Sequence, residues 1–308
     1  MPEATLLSFP LKGPAGEPID LRRSFFSHGL TELPPMNVAE DGGSLRITLP
    51  LSKGKPRTVT IAQHRSRARV VIEGPRAGPA IQQAVTAQVR HVLRLDEDLS
   101  GFYAQLGDDP DLAWAARGAG RMVRAPTVFE EVVKTICTTN CSWGATKKMV
   151  ANLVSELGEP AAGAPPNGPE GRAFPTPDAM AAASERFYKE VMRAGYRGPY
   201  FRALARSVVS GEVDLEAFAT SGLSDEEVGV QLQTLPGVGP YAAAHIMMMI
   251  GRYSLLILDS WTRPKYARLV GKKSVKDPTI VRRFKPYGSW AGLAFWLFLT
   301  RDWLEDGT

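Results

Sequence analysis

Apolar and polar positions alternate along the first quarter of the chain and then change period. Residues 44–51 (SLRITLPL), 57–63 (RTVTIAQ) and 67–74 (RARVVIEG) each follow the two-residue period of a strand. Gly42-Gly43 and Lys53-Gly54 supply turns between them. These runs predict an antiparallel, β-rich domain over residues 1–78. From Pro79 the period becomes helical: Ile81, Val85, Val89 and Val92 fall on one face, and Leu95 closes the segment. Phe129, Val132, Val133, Ile136 and Cys137 form a second helical stripe. It breaks at the polar residues Thr138, Thr139, Asn140 and Ser142, and Trp143 follows. Residues 158–177 are rich in Pro, Gly and Ala and show no packing stripe, so a mobile loop is expected there. The fold class expected is α+β, with a mostly helical domain over 79–308.

The most informative pattern is LQTLPGVGPYAAAHIMMMIGRYSLLILD, residues 232–259. Ser224 and Glu227 have capping-box spacing, which predicts a helix from about Asp225 to Thr234. Gly237 and Gly239 flank Val238 in a tight turn, Pro240 suits the first position of a second helix, and Gly251 is a natural stop. Two glycines before a helix N-terminus leave amides bare and add the positive end of the helix dipole, which makes an anion site. Asp259 ends the apolar run 255–258, 18 positions after Tyr241. An acid so placed emerges from a core into a cleft. It also precedes Ser260, Trp261 and Thr262, where capping is a common task for Asp. The two readings are compatible.

Charge sharpens this picture. The 308 residues carry a formal net charge of +5, which favours a polyanionic partner. Nine Lys or Arg and one acid, Asp277, lie between Trp261 and Lys285, directly beside Asp259. Arg263 and Lys265 are therefore candidate phosphate contacts. Two cysteines, Cys137 and Cys141, give no disulfide framework, and four His with no ligand spacing argue against a metal-ligand cluster. No apolar run approaches the ~18 residues of a membrane span. The N-terminus has no basic region followed by an apolar one, so a cytoplasmic protein is expected, nucleoid-associated if bacterial.

LPGVGPYAA followed by LLILD resembles the helix-hairpin-helix (HhH-GPD) DNA glycosylase superfamily. The N-terminal strands with VRHVLRLDEDLSGFYAQLGDDPDL resemble the 3-methyladenine DNA glycosylase II branch, and ICTTNCSW resembles a segment of 8-oxoguanine DNA glycosylases. The resemblance implies a two-lobed helical domain that flips a damaged base, an alkylated purine, out of double-stranded DNA and hydrolyses its N-glycosidic bond. It implies Asp259 as the catalytic carboxylate. Bifunctional members carry a Lys where this chain has Tyr241, so a monofunctional enzyme with no Schiff-base lyase step is implied. Tyr241, His245, Phe295 and Trp296 become candidates for the base pocket. Asn140 and Trp143 would approach the gap left by the base, and Gly237, Val238 and Gly239 the phosphate. Main-chain carbonyls of Gln233, Leu235 and Val238 would hold K⁺ or Na⁺. The four cysteines that an iron–sulfur cluster needs are absent. A monomer that binds no membrane is expected. Two alternatives stand beside this one: hypoxanthine or 8-oxoguanine as the substrate, or a DNA-binding protein that keeps the fold without catalysis.

Overall fold

A computed structural model describes residues 4–107 and 109–304. Residues 1–3, 108 and 305–308 of the two expected domains lie outside the described residues. Five antiparallel strands form one sheet in the order β1-β5-β4-β3-β2: β1 (Thr5–Pro10), β2 (Met36–Val38), β3 (Ser44–Leu49), β4 (Arg57–His64) and β5 (Arg67–Ile72). The alternation seen in the sequence sets the register. Leu45 pairs with Ile61, which pairs with Val70; Ile47 pairs with Val59, which pairs with Ile72. All six are buried, so the strands present one apolar face. The helix Pro79–Val92 covers it with Val85, Val89 and Val92. Leu95, Val123 and Ala125 join the same cluster, so the core of the sheet does not stop at residue 78.

A second core unites the helices of the remaining chain. At its centre lies the helix Pro240–Ile250, buried at every position from Ala242 to Ile250 and packed against the helix Val128–Thr138. A helix apolar on all sides belongs in the middle of a bundle. A polar seam ties its end to the sheet. Arg94, in a left-handed conformation (φ 52°), donates to the carbonyls of Met122 (2.6 Å) and Met249. Arg121, fully buried, pairs with Glu17 at 2.6 Å and donates to the carbonyls of Arg94 and Glu97.

Residues 158–176 form a loop, as expected, and it is tied together by its own backbone. Arg172 donates to the carbonyls of Gly158, Pro166 and Gly168, and Ala161 and Ala173 bond across the loop to Gly171 and Glu159. Phe174 is buried, and Glu170 pairs with Arg46 of β3 at 2.9 Å. The loop closes on itself through its backbone and one arginine, which no hydropathy period records. No helix among the described residues is long and apolar enough to cross a membrane.

Buried histidines make the fold sensitive to acid. His28 accepts from the Leu30 amide through Nδ1 (3.2 Å) and meets the Val123 carbonyl through Nε2 (2.5 Å), an arrangement that fixes the neutral ring. Burial depresses His28 to about 3 and His245 to about 4, whereas an unfolded histidine titrates near 6.5. Unfolding therefore takes up protons between these values, and the histidine contribution is lost as the pH falls through that window. Glu131, pushed up to about 7 by burial, acts in the opposite sense: its contribution is complete below 4.5 and lost as the pH rises to 7. His91, depressed to about 4 by burial, adds to the histidine side, and Glu130 and Glu216, raised by burial, add to the opposing one. The histidine part is isolated at His28: the loss of stability from pH 6.5 to pH 4 is expected to be smaller in His28→Gln than in the native protein, and an equal loss in both would contradict the neutral assignment.

Candidate active site

The hairpin forms as its end signals require. Ser224 and Glu227 make both bonds of the capping box at the head of the helix Asp225–Leu232. Gly237 adopts φ 82°, and the Val238 amide closes the turn on the Leu235 carbonyl at 3.1 Å. Gly239 precedes the helix Pro240–Ile250 in extended conformation, with Pro240 in its first turn. The amides of Gly239, Tyr241 and Ala242 find no acceptor among the described residues. Bare donors and the positive dipole end coincide there, as an anion site requires. A Cβ on Gly237 would lie 2.9 Å from Tyr200 Cδ2, on a backbone that side chains rarely adopt. Gly237→Ala is therefore expected to cost about 1–3 kcal/mol of stability, as read by the denaturant midpoint. An unchanged midpoint would show that the turn takes a side chain without strain.

Asp259 stands where the apolar run 255–258 reaches the surface of a cleft of about 760 Å³. Its Oδ1 accepts from the amides of Trp261 (2.8 Å) and Thr262 (2.6 Å), while its own amide donates to Thr262 Oγ1 (2.8 Å). The residue therefore caps the start of the helix Thr262–Leu269, and this fixes the carboxylate in place. Oδ2 makes no hydrogen bond among the described residues. One oxygen serves the fold and the other is left for the cleft. Gly237, Gly239 and Tyr241 line the same cleft, as does Arg263, forked onto Asp277 through two 2.8 Å bonds. Thr138, Asn140, Tyr196 and Tyr200 also line it. The cleft-lining residues include no lysine.

No family model matches the sequence, and no curated protein matches it. The three-dimensional comparison is different. MBOgg1 in complex with a low-affinity DNA ligand superposes with a TM-score of 0.74 at 22% identity, over 98% of both chains. The apo form of the Clostridium acetobutylicum 8-oxoguanine glycosylase/lyase gives 0.74 at 21% identity, over 97% of this chain and 98% of that one. The 3-methyladenine DNA-glycosylase of Archaeoglobus fulgidus gives 0.72 at 21%, over 97% and 100%. The chain has the helix-hairpin-helix DNA glycosylase fold. These likenesses extend over nearly the whole chain, sheet included.

Within this fold the candidate aromatics separate. Tyr241 is on the cleft wall, its hydroxyl 3.2 Å from Thr138 Oγ1. His245 is one turn further along the helix and lies behind it, with ring centroids 6.0 Å apart. It is buried, its Nε2 has no hydrogen-bond partner among the described residues, and burial outweighs the attraction of Asp259 in keeping it neutral. Trp296 stands perpendicular to His245 at 6.4 Å, with its indole N–H on the Ser27 carbonyl. His245 and Trp296 thus form a layer behind Tyr241 and are not among the residues that line the cleft. Phe295 does not belong with them. It is fully buried against Phe284 (5.2 Å) and Tyr266 (6.1 Å), because adjacent helical positions point about 100° apart.

The expected DNA contacts separate in the same way. Asn140 is exposed at the cleft with φ 46°, and its Nδ2 donates to the Tyr196 hydroxyl at 3.2 Å. Trp143 is not on the cleft wall: it packs beside Gly29, with its indole N–H toward Glu32 and Lys147 over its ring. Lys265 is tied to Asp302 and does not line the cleft. Sequence reasoning missed Tyr196 and Tyr200. Tyr196 is 55% exposed, its ring braced by the Arg197 guanidinium at 4.5 Å and by Tyr200 at 6.1 Å. Arg197 itself is buried and donates to the carbonyl and hydroxyl of Thr139. The run Gly195-Tyr196-Arg197, which sets an aromatic between a turn glycine and a charge, is the sequence feature that marks this ring.

Proposed function

We propose that this chain is a monofunctional DNA glycosylase that removes a damaged purine, in the first instance an alkylated one, from duplex DNA. The observation that carries this is the fixed Asp259 carboxylate, with one free oxygen, in the wall of a cleft that also holds the open hairpin amides. A backbone phosphate would sit on those amides, with Arg263 beside it. The nucleotide is then extruded, at a cost of a few kcal/mol that backbone contacts offset. As the glycosidic bond lengthens, the base leaves with the bonding electrons and positive charge builds on the sugar. The free oxygen of Asp259 stabilises that charge, orients a water and takes one of its protons as the water oxygen bonds to the anomeric carbon. Tyr241 occupies the position of the lyase lysine, and a phenol forms no Schiff base, so water is the nucleophile. Tyr241 faces the base, with His245 and Trp296 behind it. Asn140 and Tyr196 meet the unpaired partner base.

The hairpin oxygens suit a monovalent cation. The carbonyls of Gln233 and Val238 accept no hydrogen bond among the described residues, and that of Leu235 accepts one. K⁺ or Na⁺ held by these three would add positive charge beside the phosphate. A second substrate reading, hypoxanthine or 8-oxoguanine, is favoured by Asn140, which stands exposed at the cleft within ICTTNCSW, the segment that resembles 8-oxoguanine DNA glycosylases.

The test is to incubate lesion duplexes with the protein and divide each sample between hot alkali and no treatment, with borohydride present in a parallel series. Strand breaks are expected only after alkali, with no protein–DNA adduct trapped. Breaks without alkali, or a trapped adduct, would show that an amine has replaced the missing lysine.

A further inference from the structure

Outside the cleft, a second groove of about 600 Å³ runs along the helix Gly198–Val209, and no step proposed above uses it. Its floor is the buried ring of Tyr188, stacked at 6.3 Å on Phe201 and held by a hydroxyl bond to the Met180 carbonyl. Lys189, Arg202 and Arg206 line it. Arg202 is paired with Glu185, but Lys189 and Arg206 are exposed and have no acidic partner among the described residues. The amides of Gly195 and Tyr196, on the same rim, also lack acceptors among the described residues. Tyr196 lines both the groove and the catalytic cleft, so the two surfaces are continuous across one exposed ring.

We infer that this groove holds the sugar–phosphate backbone of the undamaged strand. The inference rests on the glycosylase reading. In that reading the hairpin amides grip the strand that carries the lesion. Tyr196 and Asn140 belong to the segments that meet the unpaired base. The partner strand must then continue past Tyr196, which is where the groove begins. Its chemistry fits a backbone: two unpaired cations and bare amides for phosphates, and a flat apolar floor for deoxyribose.

The test compares the native protein with the double variant Lys189→Gln, Arg206→Gln on a duplex containing a tetrahydrofuran abasic analogue. Both residues are exposed, so the variant is expected to fold, and an unchanged thermal midpoint checks this. The slope of log affinity against log salt should become shallower by roughly 2. Neutral methylphosphonates are then placed singly along each strand. In the native protein, substitutions at two or three positions of the undamaged strand should weaken binding, and the variant should be indifferent to them. Substitutions on the damaged strand should affect both proteins alike. An unchanged salt slope, or retained sensitivity on the undamaged strand, would overturn the inference. Sensitivity lost on the damaged strand instead would overturn the strand assignment. If the native protein fails to bind the duplex at all, the glycosylase reading itself falls, and that is known before any variant is made.

Discussion

Asp259→Asn is expected to slow base release by roughly 10²-fold or more with little change in stability. The two halves of this result have separate causes. The structural half is carried by Oδ1, which accepts the amides of Trp261 and Thr262. An asparagine oxygen accepts the same two bonds, so the cap on the helix Thr262–Leu269 survives. The chemical half is carried by the charge, which an amide lacks. A loss of 10² corresponds to about 2.7 kcal/mol of transition-state stabilisation. Single-turnover base release and a denaturant midpoint, measured on the same preparation, separate the two. Asp259→Ala would lose the cap as well and is expected to cost about 1 kcal/mol more in stability. Undiminished release by Asp259→Asn would reduce Asp259 to a cap.

The largest structural effect is expected at Arg121, far from the chemistry. Arg121→Met should destabilise the chain by about 3–5 kcal/mol. Methionine fills most of the volume but leaves Glu17 buried without its cation. The carbonyls of Arg94 and Glu97 lose their donor as well. The seam cannot dry out cheaply, because an unpaired buried carboxylate costs more than the pair contributes. Adding Glu17→Gln to Arg121→Met should recover part of the loss, since Glu17 also accepts the amides of Ala15 and Leu99 and a glutamine oxygen can take one of them. Equilibrium denaturation of the native protein, the single variant and the double variant checks the cycle. No recovery in the double variant would mean that the guanidinium acts through packing alone.

Local signals made the hairpin and its neighbouring carboxylate legible in the sequence. Ser224 and Glu227, Gly237, Pro240 and Gly251 each fix one backbone feature, and the structure shows each feature in place. Strands β3, β4 and β5 of the N-terminal sheet were legible for the same reason, since alternation is a local property. β2, with three residues, is too short to show a period, and β1 ends in a proline and pairs with β5, more than fifty positions away. The seam of Arg94, Arg121 and Glu17 joins residues up to 155 positions apart, and no pattern within a window marks it. Phe295 and Trp296 illustrate a different limit. Every residue from Ala291 to Thr300 is buried, so the helix has no polar face from which to infer where each ring points. Tyr196 shows the converse: an exposed aromatic at a cleft is a strong signal in space and a weak one in sequence.

Cleavage of a glycosidic bond in the cleft at Asp259 is the reaction proposed for this protein. It is tested most directly by incubating the native protein and Asp259→Asn with duplexes that each carry one alkylated or oxidised purine, and identifying free base by mass spectrometry. The native protein is expected to release one or a few of these bases, leaving an intact strand with an abasic site, and the variant almost none. Duplex binding by the native protein without release of any base would contradict this and leave a protein that holds DNA without excising a base from it.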